Sequence, residues 1–216
     1  MAELLPELKY YYEDGDGDRF PMLRHPLIYA VPYFEGNEEM YNDQYLAKKE
    51  YVDRLYEECE YHSYIYSHER PYRLLAFNKI CDFLEDRQYW ELMSSVWSDS
   101  ENIWAYQKCW EELIISGDRT EESYFMDEME RDFYKKLPDS FEIFRGFNGM
   151  GSEFGLSWTL NRSKAEWFAR RFNSEGAMLA STLIEKKETF AYLSGRNEDE
   201  IIIYPNMCLV IKIEEI

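Results

Sequence analysis

Between residues 41 and 137 the apolar positions recur at helical spacing, and after Pro138 the chain turns to short β-prone runs. Residues 42–66, rich in tyrosine, read as one helix. Pro71 opens a second, with Leu74, Phe77, Ile80, Cys81 and Leu84 on one face. Ser98-x-x-Glu101 has the form of a capping box, in which two side chains satisfy the first backbone N–H groups of a helix. It predicts a third helix that carries Ile103, Trp104, Trp110, Leu113 and Ile114 and ends at Gly117. Asp118-x-x-Glu121 predicts a fourth, with Phe125, Met129 and Phe133 at i, i+4 and i+8 and a stop at Leu137-Pro138. Residues 1–40 show neither period and hold Pro6, Pro21, Pro26 and Pro32, so they read as irregular.

The second region is built differently. Residues 141–147 are short, aromatic and β-prone, and residues 155–160 read as a second strand. Ser163-x-x-Glu166 predicts a short helix whose apolar face is Ala165, Phe168, Ala169 and Phe172. Residues 178–184 and 191–193 read as strands, and 201–204 with 208–213 as a hairpin joined at Pro205-Asn206. The predicted class is α+β, a helical lobe followed by a mostly antiparallel sheet.

Composition sets the scale. The chain has 216 residues, with 13 Phe, 6 Trp and 19 Tyr, enough for one sizeable core and incompatible with disorder throughout. The organisation expected is an acidic extension over 1–73 and one domain over 74–216, with helices over 74–137 and a β-rich core over 139–216. Its many tyrosines are read as core. No run nears the roughly 20 apolar residues of a membrane span. Residues 1–20 carry Glu3, Glu7, Glu13 and Asp14 and lack a signal core, so a cytoplasmic location is expected. Cys59, Cys81, Cys109 and Cys208 lie far apart and read as reduced, mostly buried thiols.

Charge narrows the partners. Residues 1–138 hold 15 basic and 31 acidic side chains, and residues 139–216 hold 9 and 12. The first region should repel a polyanion. The second keeps Arg145, Arg162, Arg170, Arg171 and Arg196, enough to hold a small anion. The run Asp14-Gly15-Asp16-Gly17-Asp18 starts like a calcium loop, but Arg19 stands where Gly is needed and His25 where Glu is needed, so it reads as a turn. His25, His62 and His68 form no metal signature, and no triad, Walker or dinucleotide fingerprint is present.

What remains is arginine, hydroxyls and carboxylates on the C-terminal strands. Arg145 follows Phe141 and Ile143 on one strand face, where a covered guanidinium needs an acidic or phosphate partner. Ser157 and Thr159 share a face. Glu198 and Glu200 share another at the mouth of the run Ile201-Ile202-Ile203, roughly 7 Å apart if the chain there is extended.

In that order, Ile143-Phe144-Arg145-Gly146, Gly155-Leu156-Ser157-Trp158-Thr159 and Glu198-Asp199-Glu200-Ile201 resemble the motifs of the arginine–serine–glutamate, or cholera-toxin-like, mono-ADP-ribosyltransferases, in their bacterial and phage-borne branch. The middle motif departs from the family's Ser-Thr-Ser. The resemblance implies a sheet core of ADP-ribosyltransferase type and NAD+ as substrate, without a metal. Arg145 would hold the diphosphate or a ribose, and the Gly146 backbone would meet the nicotinamide carboxamide. Ser157 would orient Glu200, which stabilises the oxocarbenium-like centre as nicotinamide leaves, while Glu198 acts as general base on the acceptor. Thr159 and Trp158 join the NAD+ side, with Phe147, Phe154 and Trp158 as candidates to stack on nicotinamide. Residues 194–197 would form the target-recognition loop, for which Tyr192, Arg196 and Asn197 are the candidate residues, with Arg196 or Tyr192 facing the acceptor. The implied acceptor is a macromolecule, first protein arginine and second a nucleic acid, and the toxin or phage-effector reading adds an antitoxin or regulatory partner; no membrane is implied. Two alternatives stay open: an NAD+ glycohydrolase on the same fold, and a non-enzymatic acidic inhibitor or interaction protein.

Overall fold

The computed structural model describes every residue except Met1, Asp18, Asn102, Gly117, Asp118, Met150, Gly151, Phe172, Asn173, Ser174, Asn206 and Cys208, and the side chain of Ser152. The helix end at Gly117, the cap at Asp118, the apolar position Phe172 and the turn at Asn206 therefore lie outside the described residues. The chain is α+β with antiparallel sheets, and it divides into two compact units, residues 1–84 with 99–101 and residues 85–98 with 102–216.

In the first unit α1 (Pro6–Lys9) leads into a three-stranded antiparallel sheet of β1 (Tyr12–Glu13), β2 (Met22–Leu23) and β3 (Val31–Pro32). The stretch expected to be irregular thus carries order, which two-residue strands cannot advertise by period. Helix α2 (Glu38–Glu57) follows. Its Asn42 binds this segment twice, accepting from Leu5 N–H at 2.9 Å and donating to the Glu3 carbonyl at 2.8 Å. Leu4, Leu8, Leu23, Ile28, Tyr41 and Tyr45 form the core beneath.

The single helix expected over 42–66 is two. After α2 the chain breaks at Cys59, whose φ is +57°, and resumes as α3 (Tyr61–Tyr66). Pro71 lies in a 3₁₀ turn, Arg70–Tyr72, that runs into α4 (Arg73–Ile80). There Leu74, Phe77 and Ile80 are buried as the spacing predicts, and Cys81 and Leu84 beyond it are buried too. Not every aromatic is core: Tyr10 is 85% exposed and Tyr29 71% exposed. Cys59 is exposed as well, against the expected burial.

His25 is buried between Tyr11 and Tyr45, with ring centroids at 4.6 and 4.8 Å, and its Nδ1 accepts from Leu27 N–H at 3.0 Å. Burial, helped by the His68 charge and opposed by Glu7, pushes its pKa down to about 4. The native state therefore keeps His25 neutral while the unfolded chain protonates near pH 6.5. Stability should be lost as pH falls from about 6.5 to about 4, by roughly 3 kcal/mol from this one group. In His25→Asn, urea unfolding at pH 7 and 4.5 should show an acid loss smaller by about 2 kcal/mol, most of the full difference; equal losses in both proteins would contradict it.

The second unit opens with α5 (Asp86–Asp99), a helix the capping signals hid. Ser98 sits in its last turn, so Ser98-x-x-Glu101 lies at a helix end and does not open the next helix. Tyr89, Trp90, Met93, Val96 and Trp97 form the buried stripe. A 3₁₀ turn, Trp104–Tyr106, leads to α6 (Gln107–Ile114). The next helix, α7 (Glu128–Lys136), is opened by the box Asp127-x-x-Glu130, both of whose hydrogen bonds form. Phe125 lies in the preceding 3₁₀ turn and Met129 is 76% exposed, so the expected Phe125–Met129–Phe133 face does not exist.

Strands β4 (Ser140–Asn148), β5 (Ser157–Thr159), β6 (Ala177–Glu185), β7 (Thr189–Leu193), β8 (Glu200–Ile203) and β9 (Lys212–Glu215) form one antiparallel sheet in the order β7-β8-β5-β4-β6-β9. Strands β8 and β9 lie far apart in it, so the expected hairpin is not formed. Two β-branched runs in succession suggest pairing, but each pairs elsewhere, β8 with the preceding strand β7 and the distant β5, and β9 with the distant β6. Helix α8 (Arg162–Arg170) is capped by Asn161, whose side chain accepts from Lys164 N–H, and not by Ser163. It packs Ala165 against Phe144 and Leu179. No helix among the described residues is long and apolar enough to cross a membrane.

Candidate active site

The sheet order makes β4, β5 and β8 neighbours, so the arginine, the Ser-Trp-Thr run and Glu200 come from adjacent strands. Strands β4 and β6 pair along their whole lengths, whereas among the described residues β4 meets β5 only at Phe144 opposite Thr159. At this junction Phe144 and Gly146 face α8, and pleating sends Arg145 to the other side.

The guanidinium of Arg145 lies on Gly155, where an added Cβ would come within 2.2 Å of Nη2, and Nη1 donates to the Ser157 carbonyl at 2.5 Å. Burial pushes this guanidinium down to about 10, against the pull of Glu200 and Glu153, so it stays a cation at neutral pH. Glu153 has a buried carboxylate oxygen, Oε2, without a hydrogen-bond partner among the described residues. Gly146 has a structural reason of its own: a Cβ there would sit 1.7 Å from the Ala165 carbonyl oxygen of α8.

Glu200 is buried at the start of β8. Thr159 stands directly opposite it and Ser157 opposite Ile202, which makes Ser157 the diagonal neighbour of Glu200, within side-chain reach. Ser157 Oγ donates to Glu200 Oε1, and Trp97 Nε1 donates to the same oxygen at 3.2 Å. Burial raises the carboxyl pKa, while the two donors and the Arg196 charge act to lower it and Glu198 adds to the rise.

The other two members of the middle motif have structural work. Thr159 Oγ1 donates to the Glu198 carbonyl at 2.6 Å and accepts from Asn161 N–H at 3.0 Å. Trp158 is buried, with its indole N–H on the Gly155 carbonyl at 2.8 Å. Both side chains, expected on the NAD+ side, are buried and engaged within the protein. Of the three candidates for stacking on nicotinamide, Phe147 and Trp158 are core and Phe154 is 64% exposed.

Glu198 does not share a strand face with Glu200. Its backbone is helical, and Arg196, Asn197 and Asp199 have φ of +56°, +56° and +49°. Each non-glycine residue so placed costs roughly 1–3 kcal/mol and persists only where its surroundings hold it. Here Glu130 accepts from Ser194 N–H and Oγ at 2.7 and 3.1 Å. Leu160 N–H donates to the Asp199 carbonyl at 3.0 Å, and Thr159 holds the Glu198 carbonyl. Tyr192 donates to Asp199 Oδ1 at 3.0 Å, stacks on Phe133 at 4.3 Å and is buried, its hydroxyl pushed up to about 12. Buried and bonded in this way, it braces the loop. Arg196 and Asn197 are exposed, and Arg196 Nε lies 3.4 Å from Glu198 Oε1. The pair borders a cleft of about 370 Å³ whose other walls include Lys164, Trp167 and Phe168 of α8.

The strand motifs say nothing of Trp97 or Glu130. The stripe of α5 is the signal that finds the first, and the Asp127-x-x-Glu130 box finds the second. In chemical terms the arrangement sets a half-buried arginine cation near a carboxylate held by one oxygen, with a second carboxylate two residues away on a braced loop. Comparison with known protein families, with curated proteins and with solved structures finds no match.

Proposed function

We propose that the chain is a mono-ADP-ribosyltransferase that moves ADP-ribose from NAD+ to a protein arginine and releases nicotinamide. The observation that carries this is the Ser157–Glu200 hydrogen bond between neighbouring strands, beside the strand that bears Arg145. On this reading Arg145 offers charge-assisted hydrogen bonds to the diphosphate or the adjoining ribose. Glu200, fixed through Oε1, takes the ribose 2′-hydroxyl on its other oxygen and stabilises positive charge growing at C1′. The bond from C1′ to nicotinamide breaks with its electron pair on the departing ring. An acceptor guanidinium nitrogen then bonds to C1′, and Glu198 takes its proton.

The Arg196–Glu198 ion pair supports a second reading, in which the first acceptor is water and the enzyme is an NAD+ glycohydrolase. One experiment separates the two. Protein incubated with labelled NAD+ and a cell lysate should label discrete proteins, with arginine as the modified residue by mass spectrometry. Glu198→Gln should lose the label by at least about 100-fold while keeping nicotinamide release, as expected on removing a general base for the acceptor alone. Nicotinamide without labelled macromolecule, in wild type as in the variant, would decide for the glycohydrolase.

A further inference from the structure

We infer that Trp97 is a positioning residue of this site: its indole N–H joins Ser157 Oγ in fixing Oε1 of Glu200, which leaves Oε2 as the oxygen presented to substrate. The inference rests on the proposed reading of Glu200, but the contact itself does not. Trp97 belongs to α5, remote in sequence from every motif that points to the site, and lies 103 positions before Glu200. It is fully buried, with Trp110 at 4.9 Å and Phe125 at 6.4 Å holding its ring edge-on. A buried indole N–H usually takes a hydrogen-bond partner. Trp90 and Trp158 give theirs to the backbone carbonyls of Thr120 and Gly155. Trp97 gives its own to an ionisable side chain.

That choice has a chemical meaning. A glutamine at position 200 would accept the same two hydrogen bonds through its carbonyl and would carry no charge to bury. Packing alone therefore does not ask for the acid. Two donors on one oxygen stabilise the ionised form and stop the carboxylate from turning. No hydrogen bond to Oε2 is made among the described residues. The charged groups that bear on Glu200 are Arg145 of β4 and Arg196 and Glu198 of the 194–199 loop. None of them comes from α5, so the effect of Trp97 is that of one neutral donor.

The test uses two variants of the full chain: Trp97→Phe, and position 97 carrying the isosteric analogue with sulfur in place of the indole N–H. The analogue keeps the ring volume and guards against a variant that fails to fold. Nicotinamide release should fall about 10- to 100-fold in kcat with KM for NAD+ little changed, the factor expected for one hydrogen bond to a charged group. The acidic limb of the pH–rate profile should move to higher pH, because the ionised form of Glu200 has lost a donor. The carbon-13 carboxyl titration of Glu200, assigned by its loss in Glu200→Gln, should move the same way. A kcat loss with the pH profile and the carboxyl titration unmoved would make Trp97 merely structural and overturn the inference. If wild type leaves NAD+ intact, the functional reading fails, and the carboxyl titration still decides whether Trp97 governs Glu200.

Discussion

Glu200→Gln is expected to abolish nicotinamide release and, at neutral pH, to make the chain more stable. Both effects come from the same burial. The carboxyl pKa is raised in the folded state because the group has left water. Below the unfolded value, near 4.5, both states carry the proton and Glu and Gln should be equivalent. As pH rises, the unfolded chain ionises first, and the native state pays to follow. The part of stability tied to the protonated acid is thus present at low pH and lost as pH passes the raised folded pKa. Gln keeps an acceptor for Ser157 and Trp97 and escapes that loss. Its unfolding temperature should exceed wild type at pH 7.5, and the gap should close toward pH 4. A gap that is absent or reversed at pH 7.5 would contradict the burial argument. Activity should fall by about 10²–10³-fold or more, the cost typical of removing one group that stabilises charge in the transition state. A residue that weakens the fold at its working pH is what a functional site leads one to expect.

The second large effect is expected at Gly146. An added Cβ would meet three backbone atoms of α8, the Ala165 carbonyl oxygen at 1.7 Å and the Ala165 carbon and Ala169 nitrogen at 2.7 Å. No flexible side chain is there to give way, so either α8 or β4 must move. Gly146→Ala should cost about 3 kcal/mol, the upper end for overpacking, or prevent folding of this unit. Gly195→Ala is the control, since its methyl would meet nothing within 4 Å. Urea midpoints of the two variants give the comparison. Similar midpoints would mean that α8 can withdraw from β4 at little cost. Because Arg145 adjoins Gly146 and its guanidinium lies on Gly155, movement of β4 should also disturb the candidate site.

These expectations also show which parts of the fold were legible in the sequence. Strands β4 and β6 were, because nine-residue runs carry a clear β signal. Helix α5 was not, because Ser98-x-x-Glu101 imitates a helix start at the point where that helix ends. The same four-residue pattern misled at Ser163, where Asn161 two residues earlier does the capping. A short polar motif recurs by chance in a chain with 43 acidic residues, and only its hydrogen bonds tell a cap from a coincidence. The 201–213 hairpin failed for another reason. Adjacency in sequence favours pairing, but β8 has two strand neighbours, β5 and β7, and cannot hold a third.

Within the site, Arg145, Ser157 and Glu200 were legible as motifs, and the sheet sets their strands side by side. The Glu198–Glu200 spacing suggests strand geometry, but the left-handed residues at 196, 197 and 199 turn the chain out of it. The stripe of α5 and the Asp127-x-x-Glu130 box point to Trp97 and Glu130 as residues, but not to their contacts, since each acts on a partner distant in sequence, Glu200 at 103 positions and Ser194 at 64. Tyr192 shows the converse. Its position in the sequence suggests a residue facing an acceptor, and only its burial and its bond to Asp199 reveal a bracing role.

The most direct measurement is nicotinamide release by the purified chain from NAD+, followed by chromatography with and without an arginine-containing acceptor, beside Glu200→Gln. The account predicts release by wild type, faster with the acceptor, and loss of at least about 100-fold in the variant. Release that is equal in the two proteins, or no release and no NAD+ binding by wild type, would contradict it and leave the acidic interaction protein as the better description.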